Sequence, residues 1–367
     1  MIKKHVIFFI MLFISIFFSV NIFAQTEDLK TYSKFDFVPG NKVLFFDDFS
    51  ETAIGDFPIS WNTNSSGEVI QTNLFPGKWL MMNEEANFYL LDGLKVDKNF
   101  TIEFDVFFND KEETGCESII TLFELNEEDP DLYANITCPG KCGIEFSLVL
   151  EDTPTEGAFF RAYDAPNNKD FDGQNTKSEA RIKKGEVAHI SIWVQNTRMR
   201  LYVNQTKVFD VQRAFLPNAK IRQFRIFTGY SCLVYMSNFR VADASEDNRS
   251  KLLTEGKIIS YGIYFDSGKD KVKPESYGAL KEIATILKDN PDLKIIVVGH
   301  TDSDGNEKSN LDLSKRRAAN VKNALISEFS IASDRIDTDG KGQSEPIEPN
   351  TSVENKAKNR RVEFIKK

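Results

Sequence analysis

Histidine and cysteine are scarce in this chain, three and four residues among 367, and that scarcity limits metal chemistry at once. His5 lies in the apolar N-terminal stretch, so His189 and His300 alone accompany Cys116, Cys138, Cys142 and Cys232. The CPGKC spacing at Cys138 and Cys142 is not the CxxC of a zinc site. No metal and no other cofactor is expected. A Ser-His-Asp set and a phosphate-binding Gly-rich loop are both missing. After residue 24 no apolar run is long enough for a membrane-spanning helix. Positive charge is in deficit as well: 46 basic against 55 acidic residues leave a net charge of −9. The last third of the chain is neutral to slightly basic, so the acidity belongs to the first part. Nothing offers the basic face that nucleic acid requires.

What is present begins with MIKKHVIFFIMLFISIFFSVNIFAQ. Lys3 and Lys4, an apolar centre from Val6 to Val20, and Ile22-Phe23-Ala24 before Gln25 read as a secretory signal peptide over residues 1–24. A retained anchor is the alternative, because the run nearly reaches the ~20 residues of a span. No cysteine follows it directly, so lipidation there is not expected. Export places the chain in the periplasm, where an even number of cysteines favours disulfides over thiols. Cys138 and Cys142 form a close pair that would close a tight loop, leaving Cys116 with Cys232. Sequence alone leaves that pairing open.

Residues 25–242 read as many short strands separated by Gly, Asn, Asp and Pro clusters. VLFFDDF, FTIEFDVFF, IEFSLVL, HISIWV, MRLYV, IRQFRIF and LVYMSNFRV are the clearest. With no convincing helix between them, they predict an all-β sandwich. A membrane barrel fits less well, since its strands need about 9–11 alternating residues and runs such as VLFF break that alternation. HISIWVQNTRMRLYVNQTKVFDV, with its Asn-containing turns, and the later SNFRVAD resemble laminin-G or concanavalin-A-like jelly rolls. Residues 243–257 (DASEDNRSKLLTEGK) are polar and read as a linker.

From residue 258 to 367 the pattern is β-α-β-α-β, an α/β sandwich with two helices on one face of the sheet. KIISYGIYFDSG supplies its first strand. Pro274 at the first helical position opens a helix whose Leu280, Ile283, Ala284 and Leu287 form one apolar face, and Asn290-Pro291 stops it. The apolar run Ile295–Val298 ends at Gly299, and a polar loop follows with His300, Thr301, Asp302, Asp304 and Gly305. A second helix is expected from about Asn310, where Asn310, Ser314 and Arg317 fall on one stripe. A carboxylate at a strand exit and a guanidinium on the next helix would then face a common space, which suits a ligand bearing both an ammonium and a carboxylate.

GHTD, the LSKRRA about a dozen residues later, and the late NRRVEF resemble, in this order, the OmpA-like C-terminal family that binds peptidoglycan. The resemblance covers roughly residues 258–367. It implies that Asp302 and Arg317 hold diaminopimelate of the stem peptide, with Thr301, Asn310, Arg360 and Arg361 as further contact positions. Each residue also has a plainer reading. Asp302 would cap a turn, Arg317 would pair with Asp312 or Asp304, and Asn310 would be a helix N-cap. Arg360 and Arg361 are read as opening a strand, one facing the ligand and the other a loop carboxylate. His300 is read as structural.

These features together predict a multidomain, non-catalytic envelope protein, exported and associated with cell wall and outer membrane. Its first domain would recognise a glycan or a protein; Trp61, Trp79, Tyr89 and Trp193 could stack on sugars, but buried core is the more frequent fate of such residues. The competing expectation is a periplasmic glycan-active enzyme, because some jelly rolls are glucanases that carry three acids on one strand. Glu103 and Asp105 begin such a pattern, but Phe107 and Phe108 occupy the two places for the third acid.

Overall fold

The computed structural model describes residues 35–110, 115–125, 137–155, 157–164, 171–229, 232–244 and 248–367. The signal-peptide reading lies outside them. Residues 35–367 form one compact unit.

The first lobe contains strands β1 (Lys42–Asp47), β2 (Trp61–Thr63), β3 (Gly67–Gln71), β4 (Lys78–Met82), β5 (Asn87–Leu90), β6 (Asn99–Asn109), β7 (Glu117–Glu124) and β8 (Cys142–Val149). It continues with β9 (Ala158–Asp164), β10 (Phe171–Asn175), β11 (Ala188–Gln195), β12 (Arg198–Val203), β13 (Thr206–Val211), β14 (Gln223–Thr228) and β15 (Leu233–Asp243). They fall into two sheets. One runs β13-β12-β11-β6-β15-β4-β3 with β1 also on β15, and the other β10-β9-β8-β7-β14-β5-β2. The pairings within both are antiparallel.

Strand β6 shows why the sheets pack face to face. Phe100, Ile102, Phe104, Val106 and Phe108 alternate along it and are buried among Phe224, Ile226, Ile144 and Phe146 of the other sheet. Burying each such side chain contributes about 1.5–3 kcal/mol. The turns predicted around Asn196 and Asn204 are formed with both residues at positive φ, 55° and 53°, a conformation asparagine tolerates.

One disulfide, Cys116–Cys232, joins the residue before β7 to the residue before β15 and so ties the two sheets together, with a Cα–Cα distance of 5.6 Å. The expected Cys138–Cys142 bridge is not formed. Cys142 opens β8 opposite Glu124, its Sγ 3.7 Å from that carboxylate, and burial followed by the Glu124 charge pushes its thiol up to about 12. The backbone N–H of Cys138 donates to Glu145 instead (3.0 Å). The Cys116–Cys232 bridge spans 116 residues, and crosslinks over loops of that length restrict the unfolded chain. Replacing both cysteines by serine should therefore lower the unfolding free energy by about 2–5 kcal/mol. Urea midpoints of the oxidised parent and the double variant measure this, and equal midpoints would contradict it.

The second lobe comprises α1 (Asn248–Thr254), β16 (Lys257–Ser260), α2 (Tyr277–Asp289), β17 (Ile295–His300), α3 (Glu307–Phe329), β18 (Ile336–Gly342), α4 (Val353–Asn359) and β19 (Val362–Lys366). Its sheet order is β16-β19-β17-β18, with β17 and β18 parallel. The predicted face of α2 is the buried one. Three differences from expectation have physical causes. The stretch read as a linker holds α1, because Leu252 is wholly buried in this lobe's core. The first strand stops at Ser260, since the residues beyond it turn to the other lobe. The NRR segment ends helix α4 rather than beginning a strand: Asn359 is its last residue, Arg360 is its C-cap with its N–H donating to the Lys356 carbonyl, and the strand starts only at Val362.

The two lobes meet over the outer face of the larger β-sheet. Glu103, 2% exposed, accepts from Arg240 at 2.6 Å and from the Tyr264 hydroxyl of the second lobe. His189 Nε2 lies 3.6 Å from Glu103, and its Nδ1 lies 2.7 Å from Asp105, which also accepts from Asn238. Burial opposes a charge on His189, yet the two carboxylates prevail and raise its pKa to about 10. Gly278 lies so close to the Phe37 carbonyl that a Cβ would sit 1.6 Å from its oxygen, so only glycine permits this approach. Phe35, Phe37 and Tyr202 close the seam around Tyr277.

Candidate functional site

The site is built at the exit of β17 by the close approach of α3. Gly299 and Gly340 make that approach possible: a Cβ on either would sit 2.3–2.4 Å from backbone atoms of Ser314 or Lys315. Ser314 Oγ then accepts from the Gly342 N–H (2.9 Å), fixing helix to strand. Helix α3 begins at Glu307, three residues earlier than its periodicity suggests, because Asn306 caps it by accepting from the Lys308 and Ser309 N–H groups. Asn310 is consequently not the cap. It lies inside the first turn, buried, and donates to the carbonyls of Asp302 (3.3 Å) and Asp304 (2.9 Å) and to Gln343 Oε1 (2.8 Å). Its side chain shapes the loop that presents Asp302.

Thr301 belongs to the same scaffold, its N–H donating to the Gly342 carbonyl and its hydroxyl to the Asp302 carbonyl. The Asp302 carboxylate is largely buried. One oxygen accepts from the Asp304 N–H at 3.0 Å and the other from Arg360 Nη1 at 2.8 Å. So Asp302 does cap a turn, and it holds an arginine as well.

Arg317 does not pair with Asp312 or Asp304. Those carboxylates are taken by Arg316 and Lys356. Arg317 lies over the Phe265 ring, 4.7 Å from its centroid, and donates to the carbonyls of Lys269 (2.9 Å) and Asp266 (3.2 Å). Partial burial lowers its pKa, the Asp302 charge raises it, and the Arg360 charge lowers it again. Asp302 and Arg360 thus form an ion pair, and the charges of both are felt at Arg317 on the adjoining helix. A zwitterion would find there an acceptor for its ammonium and a fork for its carboxylate.

Arg361 is 5% exposed, and its side chain turns inward, donating to Glu363 (2.8 Å) and to the Glu345 carbonyl (3.1 Å). Burial alone would raise the pKa of Glu363, but His300, Lys257 and Arg361 hold it well below the usual carboxylate range. Arg361 and Glu363 are therefore a buried ion pair, with the His300 ring beside it. Asn359 is fully buried and pins the 347–350 turn through Ile347, Glu348 and Asn350.

Four neighbours of the site were not among the sequence candidates: Phe265 under Arg317, Gln343 on Asn310, Phe46 under Arg360, and Glu51, which accepts from the Val353 N–H. The first two adjoin recognisable motifs, FDSG and KGQSEP, and a search for side chains flanking those turns would have found them. Phe46 and Glu51 belong to the first lobe and carry no local signal. Of the rings weighed as sugar platforms, Trp61, Trp79 and Tyr89 are buried, and Trp193 is half-buried, with Phe37 edge-on to it and Arg200 over its ring.

A model of the OmpA family matches residues 264–360, so the second lobe carries an OmpA family domain. Outer membrane porin F of Pseudomonas aeruginosa is 39% identical over 105 residues, covering 29% of this chain and 30% of that protein. Outer membrane protein A of Bordetella avium is 45% identical over 107 residues, covering 29% and 55%. Peptidoglycan-binding protein ArfA of Mycobacterium bovis is 38% identical over 103 residues, covering 28% and 31%. The chain spans well under two thirds of the length of each of these relatives. Among the described residues, no helix is long and apolar enough to cross a membrane.

Proposed function

We propose that this protein is a non-catalytic component of the cell envelope that anchors itself to peptidoglycan, gripping the diaminopimelate of the stem peptide with Asp302, Arg317 and Arg360. The observation that carries this reading is the Asp302–Arg360 ion pair at the exit of β17, with the Arg317 guanidinium held over Phe265 on the adjoining helix α3, inside the segment that matches the OmpA family. The relatives' names, which speak of the outer membrane and of peptidoglycan, point the same way. Residues 1–24 would direct export, and the mature chain would work in the periplasm beside the wall and outer membrane. The first lobe, read as a laminin-G or concanavalin-A-like jelly roll, would recognise a glycan or an envelope protein. A cleft of about 810 Å³ bordered by Lys42, Leu94, Lys95, Arg222 and Asp243 is the place to look for that ligand.

The glycan-active alternative finds no support at its own residues. Glu103 and Asp105 are spent on Arg240, His189, Asn238 and Tyr264, and the second lobe covers Glu103. A nucleophile or acid/base pair must reach its substrate. The mature full-length chain should co-sediment with purified sacculi at moderate salt and release no sugar or peptide from them. A chain that stays in the supernatant would overturn the wall-anchor reading.

A further inference from the structure

The first lobe reaches the site. Strand β1 is a strand of the larger sheet, hydrogen-bonded antiparallel to β15 and lying beside α4, and Phe46 is paired across that ladder with Arg240. The ring of Phe46 lies under Arg360, with the guanidinium carbon 5.3 Å from its centroid. Four residues past β1, Glu51 Oε1 accepts from the Val353 N–H at 2.8 Å, at the start of α4. Val353 is buried there. Arg360 follows the last residue of that helix, and its Nη1 donates to Asp302 Oδ2. So α4 is held by the first lobe at both ends: Glu51 fixes where the helix starts, and Phe46 supports the guanidinium that leaves it.

The chemistry at Arg360 depends on that support. The Arg360 side chain is 34% exposed, and a long side chain in that position samples many rotamers unless something holds it. An aromatic face beneath a guanidinium attracts the cation and leaves its N–H edge directed sideways, here toward Asp302. A planar fork held this way loses less freedom when a carboxylate arrives.

We propose that the first lobe is part of the wall-binding site, with Phe46 and Glu51 acting as positioning residues that hold Arg360 and α4 against Asp302 for the zwitterionic end of a diaminopimelate-type ligand. This rests on the wall-anchor reading above and adds to it that the affinity of the second lobe is set partly by the first. Neither residue has to touch the ligand.

The test uses the mature full-length chain and a synthetic stem tripeptide ending in diaminopimelate, titrated calorimetrically. Phe46→Leu keeps apolar bulk and removes the ring face, and should weaken binding about three- to tenfold. Phe46→Tyr keeps the face and should bind like the parent. Glu51→Ala should weaken binding, while Glu51→Gln retains an acceptor for the Val353 N–H and should restore most of it. The decisive readout is coupling. In an Arg360→Ala background, Phe46→Leu should have almost no further effect, whereas a general loosening of the fold would still be felt there.

Two failures are separable. If Arg317→Ala and Asp302→Asn weaken binding about ten- to a hundredfold but Phe46→Leu binds like the parent, or weakens binding equally with and without Arg360, the role of the first lobe is wrong and the wall-anchor reading stands. If the parent does not bind the tripeptide, the wall-anchor reading falls, and if the Arg317 and Asp302 variants bind it unchanged, the site assignment falls; either takes this inference with it. Thermal unfolding of each variant accompanies the titrations. Should Phe46→Leu fail to fold, the Glu51→Ala and Glu51→Gln pair decides, and equal affinity in those two would overturn the proposal.

Discussion

Arg317→Ala should weaken binding of a diaminopimelate-containing stem peptide by about ten- to a hundredfold while leaving the fold intact. A charge-assisted hydrogen bond contributes about 1.5–3 kcal/mol, and tenfold in affinity corresponds to about 1.4 kcal/mol. Arg317→Lys keeps the charge but loses the planar fork, together with the donors now directed to the Lys269 and Asp266 carbonyls. It should therefore still bind measurably worse than the parent. Asp302→Asn removes the charge that would attract an ammonium and also deprives Arg360 of its anion, so its effect should equal or exceed that of Arg317→Ala. Combined, the two losses should be less than additive, because both groups hold one end of one ligand. Titration of each folded variant with the peptide measures this. Parental affinity in both single variants would remove the site assignment.

The second large effect is expected at the seam between the lobes. Arg240→Ala takes from buried Glu103 its hydrogen-bonded cation and leaves only His189, 3.6 Å away; breaking a buried pair from one side costs about 3–5 kcal/mol. Arg240 also donates to the Gly40 carbonyl at 2.6 Å, which adds to the loss. Removing both charges with Glu103→Gln and Arg240→Met should recover a good part, since no uncompensated charge then remains. The same cluster predicts a pH dependence. His189 is raised from its ordinary 6.5 to about 10, so its contribution is complete below 6.5 and declines as pH rises through 10. Glu103 and Asp105 are lowered, so their contributions are present above the ordinary carboxylate range and decline in acid. Urea unfolding from pH 4 to 10.5 should show the Arg240→Ala deficit at neutral pH and an alkaline loss that His189→Gln lacks. A deficit below about 1 kcal/mol would mean that water reaches Glu103, as at an exposed pair.

Much of this protein was legible along the chain. Period-two patterns such as FTIEFDVFF show buried strands because inward residues must be apolar whatever they pack against. The apolar face of α2 and the order GHTD, LSKRRA, NRRVEF were equally local, and they led to the OmpA family domain. Short strands such as β2, β5 and β10 were not legible, since three to five residues carry too little pattern to separate from loop. The start of α3 was misplaced because the Asn306 cap precedes the apolar periodicity.

What sequence alone determined was composition-level and short-range: many strands first, an α/β domain last, one carboxylate and one guanidinium at matching motif positions. Tertiary structure decided how those groups are used. It turned Arg361 inward to Glu363 and Arg360 outward to Asp302, a choice between adjacent residues that depends on where α4 ends. It selected Cys116–Cys232, because a disulfide needs two Cα atoms within about 4.4–6.8 Å, and distance along the chain says nothing of that. It placed Phe46 under Arg360 and Glu103 against Tyr264 across the seam. These contacts join residues 314 and 161 positions apart, and no local pattern can encode a partner that only the packing of two lobes brings near.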